Sequence, residues 1–68
     1  MKQVDEMPTS GQFVAVWEYD GVIWSEVCIN QGDYIDLYSA DDDDFHRVST
    51  HQIVNYHNKY KAKYFISD

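Results

Sequence analysis

The dipeptide Asp20-Gly21 constrains this 68-residue chain more than any other feature. It separates residues 12–19 from residues 22–29, two runs rich in β-branched and aromatic side chains and each too short for a helix of ordinary length. A type I′ turn needs positive φ at both central positions, which glycine adopts freely and aspartate tolerates, so the runs are expected to pair as a hairpin with a two-residue loop. That loop fixes the register: Tyr19 faces Val22, Trp17 faces Trp24, Val14 faces Val27 and Phe13 faces Cys28. Opposed side chains share a face, so one side of the hairpin carries Phe13, Trp17, Tyr19, Trp24 and Cys28, and the other Val14, Val16, Ile23, Val27 and Ile29.

The rest of the chain extends this hairpin. Asn30-Gln31-Gly32-Asp33 reads as a second tight turn with Gln31-Gly32 central, pairing Ile29 with Tyr34 and starting a third strand over residues 34–39. In that register Ile35 and Leu37 join the tryptophan face, and Tyr34, Asp36 and Tyr38 join the valine face. Asp41 to Asp44 read as a solvated loop, since four adjacent like charges repel and cannot be buried cheaply, and structure resumes at Val48. Ser49-Thr50-His51-Gln52 fits a capping box, with the Ser49 hydroxyl accepting from the Gln52 N–H. Ile53, Tyr56, His57 and Tyr60 then recur at helical spacing, which predicts a short helix over about residues 50–59. Residues 62–67 suit a closing strand at a sheet edge, with Lys61 and Lys63 discouraging further pairing. Residues 1–11, with Pro8, Thr9, Ser10 and Gly11, read as a flexible N-terminal arm, and residues 12–68 as a single small domain.

The expected fold is therefore α+β, an antiparallel β-meander of three to four strands with one short helix packed on one face. One helix covers one face of a sheet that is apolar on both. The larger rings need more cover, so the helix is expected on the tryptophan face. If the valine face stays open, it is an apolar patch of the kind that marks contact with another chain, and a homodimer through Val14, Val16 and Val27 is one outcome. The other is that the arm or the last strand folds across it.

The chemistry-bearing residues support no catalytic centre. A chain this short has little room for both a core and a deep cleft. Cys28 sits mid-strand beside Phe13, with no neighbouring cation to activate it, and reads as a buried inert thiol. His51 and His57, six apart, point to different sides of a helix, which opposes zinc binding with His46; His57 lies on the apolar stripe as a hydrogen-bonded core residue. The aspartate run lacks the alternation, the glycine and the closing glutamate of an EF-hand loop. No cofactor and no enzymatic activity are expected.

Charge says more. The formal net charge is −7, and it is segregated: Lys2 is the only cation among residues 1–45 against eleven carboxylates, a formal −10, whereas residues 46–68 carry a formal +3. This balance opposes direct binding to nucleic acid or to an anionic membrane. No apolar run approaches the ~20 residues of a membrane-spanning helix, and the first residues lack a signal-peptide centre, so the chain reads as soluble and cytoplasmic. Its expected partners are basic. Carboxylates two apart on a strand lie ~6.7 Å from each other, so Asp33, Asp36, Asp41, Asp42, Asp43 and Asp44 could approximate the charge density of a nucleic-acid strand, with Tyr34 and Tyr38 as aromatic anchors. Solubility alone is the competing account of the charge.

Residues 8–25, Pro-Thr-Ser-Gly-Gln-Phe-Val-Ala-Val-Trp-Glu-Tyr-Asp-Gly-Val-Ile-Trp-Ser, resemble the opening of small accessory proteins of T-even-like tailed phages. The resemblance covers about a quarter of the chain and brings no catalytic residues. It implies a host-directed role: an acidic phage inhibitor that blocks a basic, nucleic-acid-binding site on a host or defence protein in the host cytoplasm, by DNA mimicry. The alternative is a structural or assembly protein that self-associates through the open sheet face.

Overall fold

A computed structural model of the protein describes residues 1–67; Asp68, counted in the C-terminal charge above, lies outside the described residues. The class is α+β, with six antiparallel strands in one sheet and one helix. In chain order these are β1 (Lys2–Val4), β2 (Gly11–Tyr19), β3 (Val22–Asn30), β4 (Tyr34–Ser39), β5 (Asp44–Ser49), α1 (Thr50–Tyr60) and β6 (Lys63–Ile66), and the spatial order is β1-β6-β2-β3-β4-β5.

The β2–β3 hairpin has the register that Asp20-Gly21 dictates, with Tyr19 opposite Val22, Trp17 opposite Trp24 and Phe13 opposite Cys28. Asp20 and Gly21 take φ of 54° and 76°, the two positive values that a type I′ turn requires. The second turn departs from expectation. Cys28 pairs with Leu37 and Asn30 with Ile35, so the strand is displaced by two residues from the expected Ile29–Tyr34 pairing. The cause is Asn30, which is buried and pinned: its Nδ2 donates to the Pro8 carbonyl (2.8 Å) and its Oδ1 accepts from Gly32 N–H (2.9 Å). The turn then closes one residue later, with Gln31 N–H donating to the Tyr34 carbonyl at 2.9 Å. A displacement of two leaves every side chain on its expected face.

Three further differences follow, two of which raise the strand count from the expected three or four to six. Asp44 belongs to β5, which pairs along the whole of β4 from Tyr34–Ser49 to Ser39–Asp44, so the turn holds only Asp41 to Asp43 of the aspartate run and structure resumes well before Val48. Within the arm expected over residues 1–11, Lys2–Val4 form the edge strand β1, paired with β6. The closing strand β6 is not at an edge: it lies between β1 and β2, with Ala15 opposite Tyr64 and Val4 opposite Tyr64 on the other side. Lys63 therefore does not guard a sheet edge.

α1 covers the tryptophan face. Ser49 caps it, its hydroxyl accepting from Gln52 N–H at 3.2 Å, and Lys61 ends it in the left-handed conformation. The core is the layer between sheet and helix: Phe13, Ala15, Trp17, Cys28, Ile35 and Tyr64 from the strands, and Ile53 from α1. Rings hold it together edge to face, Phe13 on Tyr64 at 5.7 Å and Trp17 on Tyr56 at 5.6 Å. The opposite face, with Val14, Val16, Val27, Ile29 and Phe65 half-buried by their neighbours in the sheet, has no helix over it.

Candidate functional site

The meander decides where the acidic residues go. β4 runs in the same direction as β2, so the β2–β3 turn and the β4–β5 turn leave the sheet at the same end. Asp41, Asp42, Asp43 and Asp44 are thereby brought to the end of the sheet that also carries Glu18 and Asp20, all exposed. Next to them on the open face stand Tyr38 and Phe45, directly paired across β4 and β5, 37% and 42% exposed, with their rings 5.5 Å apart.

The turn is organised by its own side chains. The Tyr38 hydroxyl donates to Asp43 Oδ1, Asp42 Oδ2 lies 2.7 Å from His46 Nε2, and Asp44 Oδ1 accepts from Phe45 N–H at 2.8 Å. Asp43 takes a positive φ of 51°. The hydrogen bond to Asp43 raises the Tyr38 pKa, helped by desolvation and the Asp42 charge. At Asp42, desolvation that would raise the carboxyl is outweighed by hydrogen bonds from His46 and Ser39 and by the His46 charge, so it lies below its ordinary value.

The other residues expected in the acidic row are elsewhere. Asp36 and Tyr34 lie on the open face and are both engaged by Arg47, whose Nε is 3.7 Å from Asp36 Oδ1 and whose guanidinium carbon sits 3.7 Å above the Tyr34 ring. Asp33 is at the opposite end of β4, where its carbonyl accepts from Thr50 N–H at 3.2 Å. The row thus divides into Asp41 to Asp44 with Tyr38, Asp36 with Tyr34, and Asp33 alone. Glu18, Asp20 and Phe45 complete the acidic end instead. Their signal was present in the sequence, because alternate turns of a meander fall at the same end; Glu18 and Asp20 follow from the three strands expected before the aspartate loop, and only Phe45 depends on recognising β5.

The charge of the open face differs from that of the chain. Among its strand residues the charged side chains are Glu18, Asp36, Arg47 and Lys63, two of each sign. The acidic excess lies in the turns.

A second group of polar side chains is inside. His57, 1% exposed, places Nε2 3.3 Å from Glu26 Oε1 and Nδ1 3.2 Å from the Tyr64 hydroxyl. A carboxylate offers only lone pairs, so Nε2 donates to Glu26, while Nδ1 meets the Tyr64 hydroxyl. Cys28 Sγ lies 3.6 Å from the Glu26 carbonyl, and burial, then the Glu26 charge and its hydrogen bond, push the thiol pKa up to about 12. Burial, and then Cys28, also raise the Tyr64 phenol. Both His57 nitrogens are satisfied inside the protein and the thiol stays protonated at neutral pH, so this chain of groups organises the core and offers no activated nucleophile. Among the described residues, no group of three His, Cys, Asp or Glu side chains could hold a metal ion, and no helix is long and apolar enough to cross a membrane. Comparison with family models, curated proteins and solved structures finds no match to this chain.

Proposed function

We propose that the chain is a non-enzymatic binding protein that presents its acidic end, Glu18, Asp20 and Asp41 to Asp44, to a basic site on a partner protein, with Tyr38 and Phe45 as the apolar anchor. The observation that carries this reading is the projection of both hairpin turns from one end of the sheet, which gathers six carboxylates beside an exposed aromatic pair. Exposed charges steer and select a partner, and the desolvated rings supply the affinity. The basic sites that best complement such an end are those that bind nucleic acid, and a phage inhibitor of a host or defence protein is the role that the resemblance of residues 8–25 adds.

The test is capture from a bacterial lysate by the immobilised chain, compared with a variant carrying Asp41→Asn, Asp42→Asn, Asp43→Asn and Asp44→Asn. Raising salt from about 0.15 M to about 1 M shortens the screening length from ~8 Å to ~3 Å. A basic protein should be retained by the native chain, released at high salt, and retained at least tenfold less by the variant. Equal retention by both chains would remove the acidic turn from the function.

The neutral open face favours a second reading, a self-associating structural protein. The molecule measures 28 × 27 × 24 Å, so its broad face approaches the ~800 Å² that each partner gives to a standard interface. Two charges of each sign allow the self-complementarity that a two-fold contact requires. Sedimentation across a concentration series checks this: dimerisation that persists at high salt supports it, and a monomer at millimolar concentration opposes it.

A further inference from the structure

The β2–β3 hairpin is longer than the sheet that supports it. On one side β6 pairs with β2 only at Val14, Ala15 and Val16, and on the other β4 pairs with β3 only at Cys28, Ile29 and Asn30. Residues 22–27 of β3 therefore pair with no strand on their β4 side among the described residues, and Tyr38 and Ser39 of β4 pair with β5 alone. The pair that closes a two-residue turn is hydrogen-bonded and such pairs alternate, so Val22, Trp24 and Glu26 direct their backbone groups to β2, while Ile23 and Ser25 direct theirs outward. The side chains on this segment are as open as its backbone: Val22, Ile23 and Trp24 are 51%, 67% and 49% exposed, although each is bulky and apolar.

We infer that the outer edge of β3 at residues 22–26 is a strand-addition site, and that its occupant is an extended, basic segment of the partner protein. This rests on the binding role proposed above and states how the partner is held. An added strand would satisfy the backbone groups of Ile23 and Ser25, and its alternate side chains would lie against Trp24 on one face and Ile23 on the other. Charge selects the occupant. The acidic groups on this side are Asp20 at the tip, Glu26 on β3, and Asp41 to Asp44 at the β4–β5 turn, which leaves the sheet at the same end, whereas Lys61 and Lys63 lie on the β6 side of the hairpin. A second copy of this chain fits poorly, because antiparallel pairing of two β3 edges about Trp24 would set each Asp20 tip opposite Cys28 of the other copy, whose outer side is already paired with Leu37. A segment with lysine or arginine at alternate positions meets the acidic groups favourably.

The probe is a capped eight-residue peptide alternating lysine with valine, together with the same peptide N-methylated at alternate residues, which keeps the charge but removes the outward N–H groups. Amide exchange at Ile23 and Ser25 is followed by NMR in the native chain. The expected result is slowing of both amides by at least tenfold at saturating peptide, with at least tenfold weaker binding of the N-methylated peptide. Ser25→Pro should have the same effect on affinity, since the N–H it removes is not part of the β2–β3 ladder. Peptide bound without protection of Ile23 and Ser25, or bound equally well when N-methylated, would overturn strand addition while leaving the acidic end as a binding surface. No binding of either peptide at low salt would overturn both readings. Protection that grows with protein concentration without peptide would assign the edge to a second copy and also overturn the inference.

Discussion

Truncation of Phe13 to alanine is expected to leave this chain largely unfolded at 25 °C. Phe13 lies on β2, the strand flanked by β6 and β3, is 1% exposed, and stacks edge to face on Tyr64 from β6. Removing a buried phenylalanine forfeits the transfer free energy of the ring and leaves a cavity, together ~3–5 kcal/mol. A domain of this length has a total stability of roughly 3–10 kcal/mol, so the loss is comparable with the whole. The site has little freedom to collapse, because its neighbours Ala15, Cys28 and Tyr64 are fixed by pairing on both sides of β2. Urea unfolding followed by tryptophan fluorescence measures it through Trp17 in the core. Val27→Ala, a change on the open face, is the control and should cost less than about 1.5 kcal/mol. Similar losses at the two positions would mean that the open face is as tightly packed as the helix side, which would contradict the one-sided core.

The same one-sidedness explains what could be read from the residues. Period-two alternation together with a two-residue turn determines which side chains share a face, and parity survives the displaced second turn, so Tyr34, Asp36 and Tyr38 lie with the valines although the pairing of β3 with β4 is shifted. The displacement itself was hidden, because it depends on Asn30 reaching Pro8, twenty-two residues away in sequence. β5 carried almost no signal, since an edge strand under one helix end buries little: only Val48 of its six residues packs against the core, and Phe45 and Arg47 face outward. The position of β6 depends on a crossover from α1 back to β2, a long-range choice that no local pattern encodes. The acidic site was legible further: a run of four aspartates announces a turn, and counting β3 and β4, both readable from the residues, puts it at the same end of the sheet as Asp20, whereas Phe45 required β5.

Replacement of His57 by alanine is expected to cost ~3 kcal/mol, and the cost should be shared with Tyr64 rather than belong to His57 alone. The ring is 1% exposed on α1, packs against Trp17 and Tyr64 with centroids 5.5 and 5.6 Å away, and receives or gives a hydrogen bond at each nitrogen. Alanine opens a cavity and leaves the Tyr64 hydroxyl without a partner on a side chain that is 8% exposed, at ~1–3 kcal/mol for the orphaned group. Glu26 suffers less, because its side chain is 24% exposed and water can replace the imidazole. Tyr64→Phe in the native background removes the hydroxyl but orphans Nδ1 of His57, so it should also destabilise. In the His57→Ala background that same change removes an orphan, and it should be neutral or stabilising. The double-mutant cycle measured by urea unfolding is therefore expected to show a coupling of ~1–2 kcal/mol, within the range for directly hydrogen-bonded neighbours. A coupling near zero would mean that the two side chains meet by packing alone and that the chain from Tyr64 through His57 to Glu26 does not act as a unit in holding α1 to the sheet.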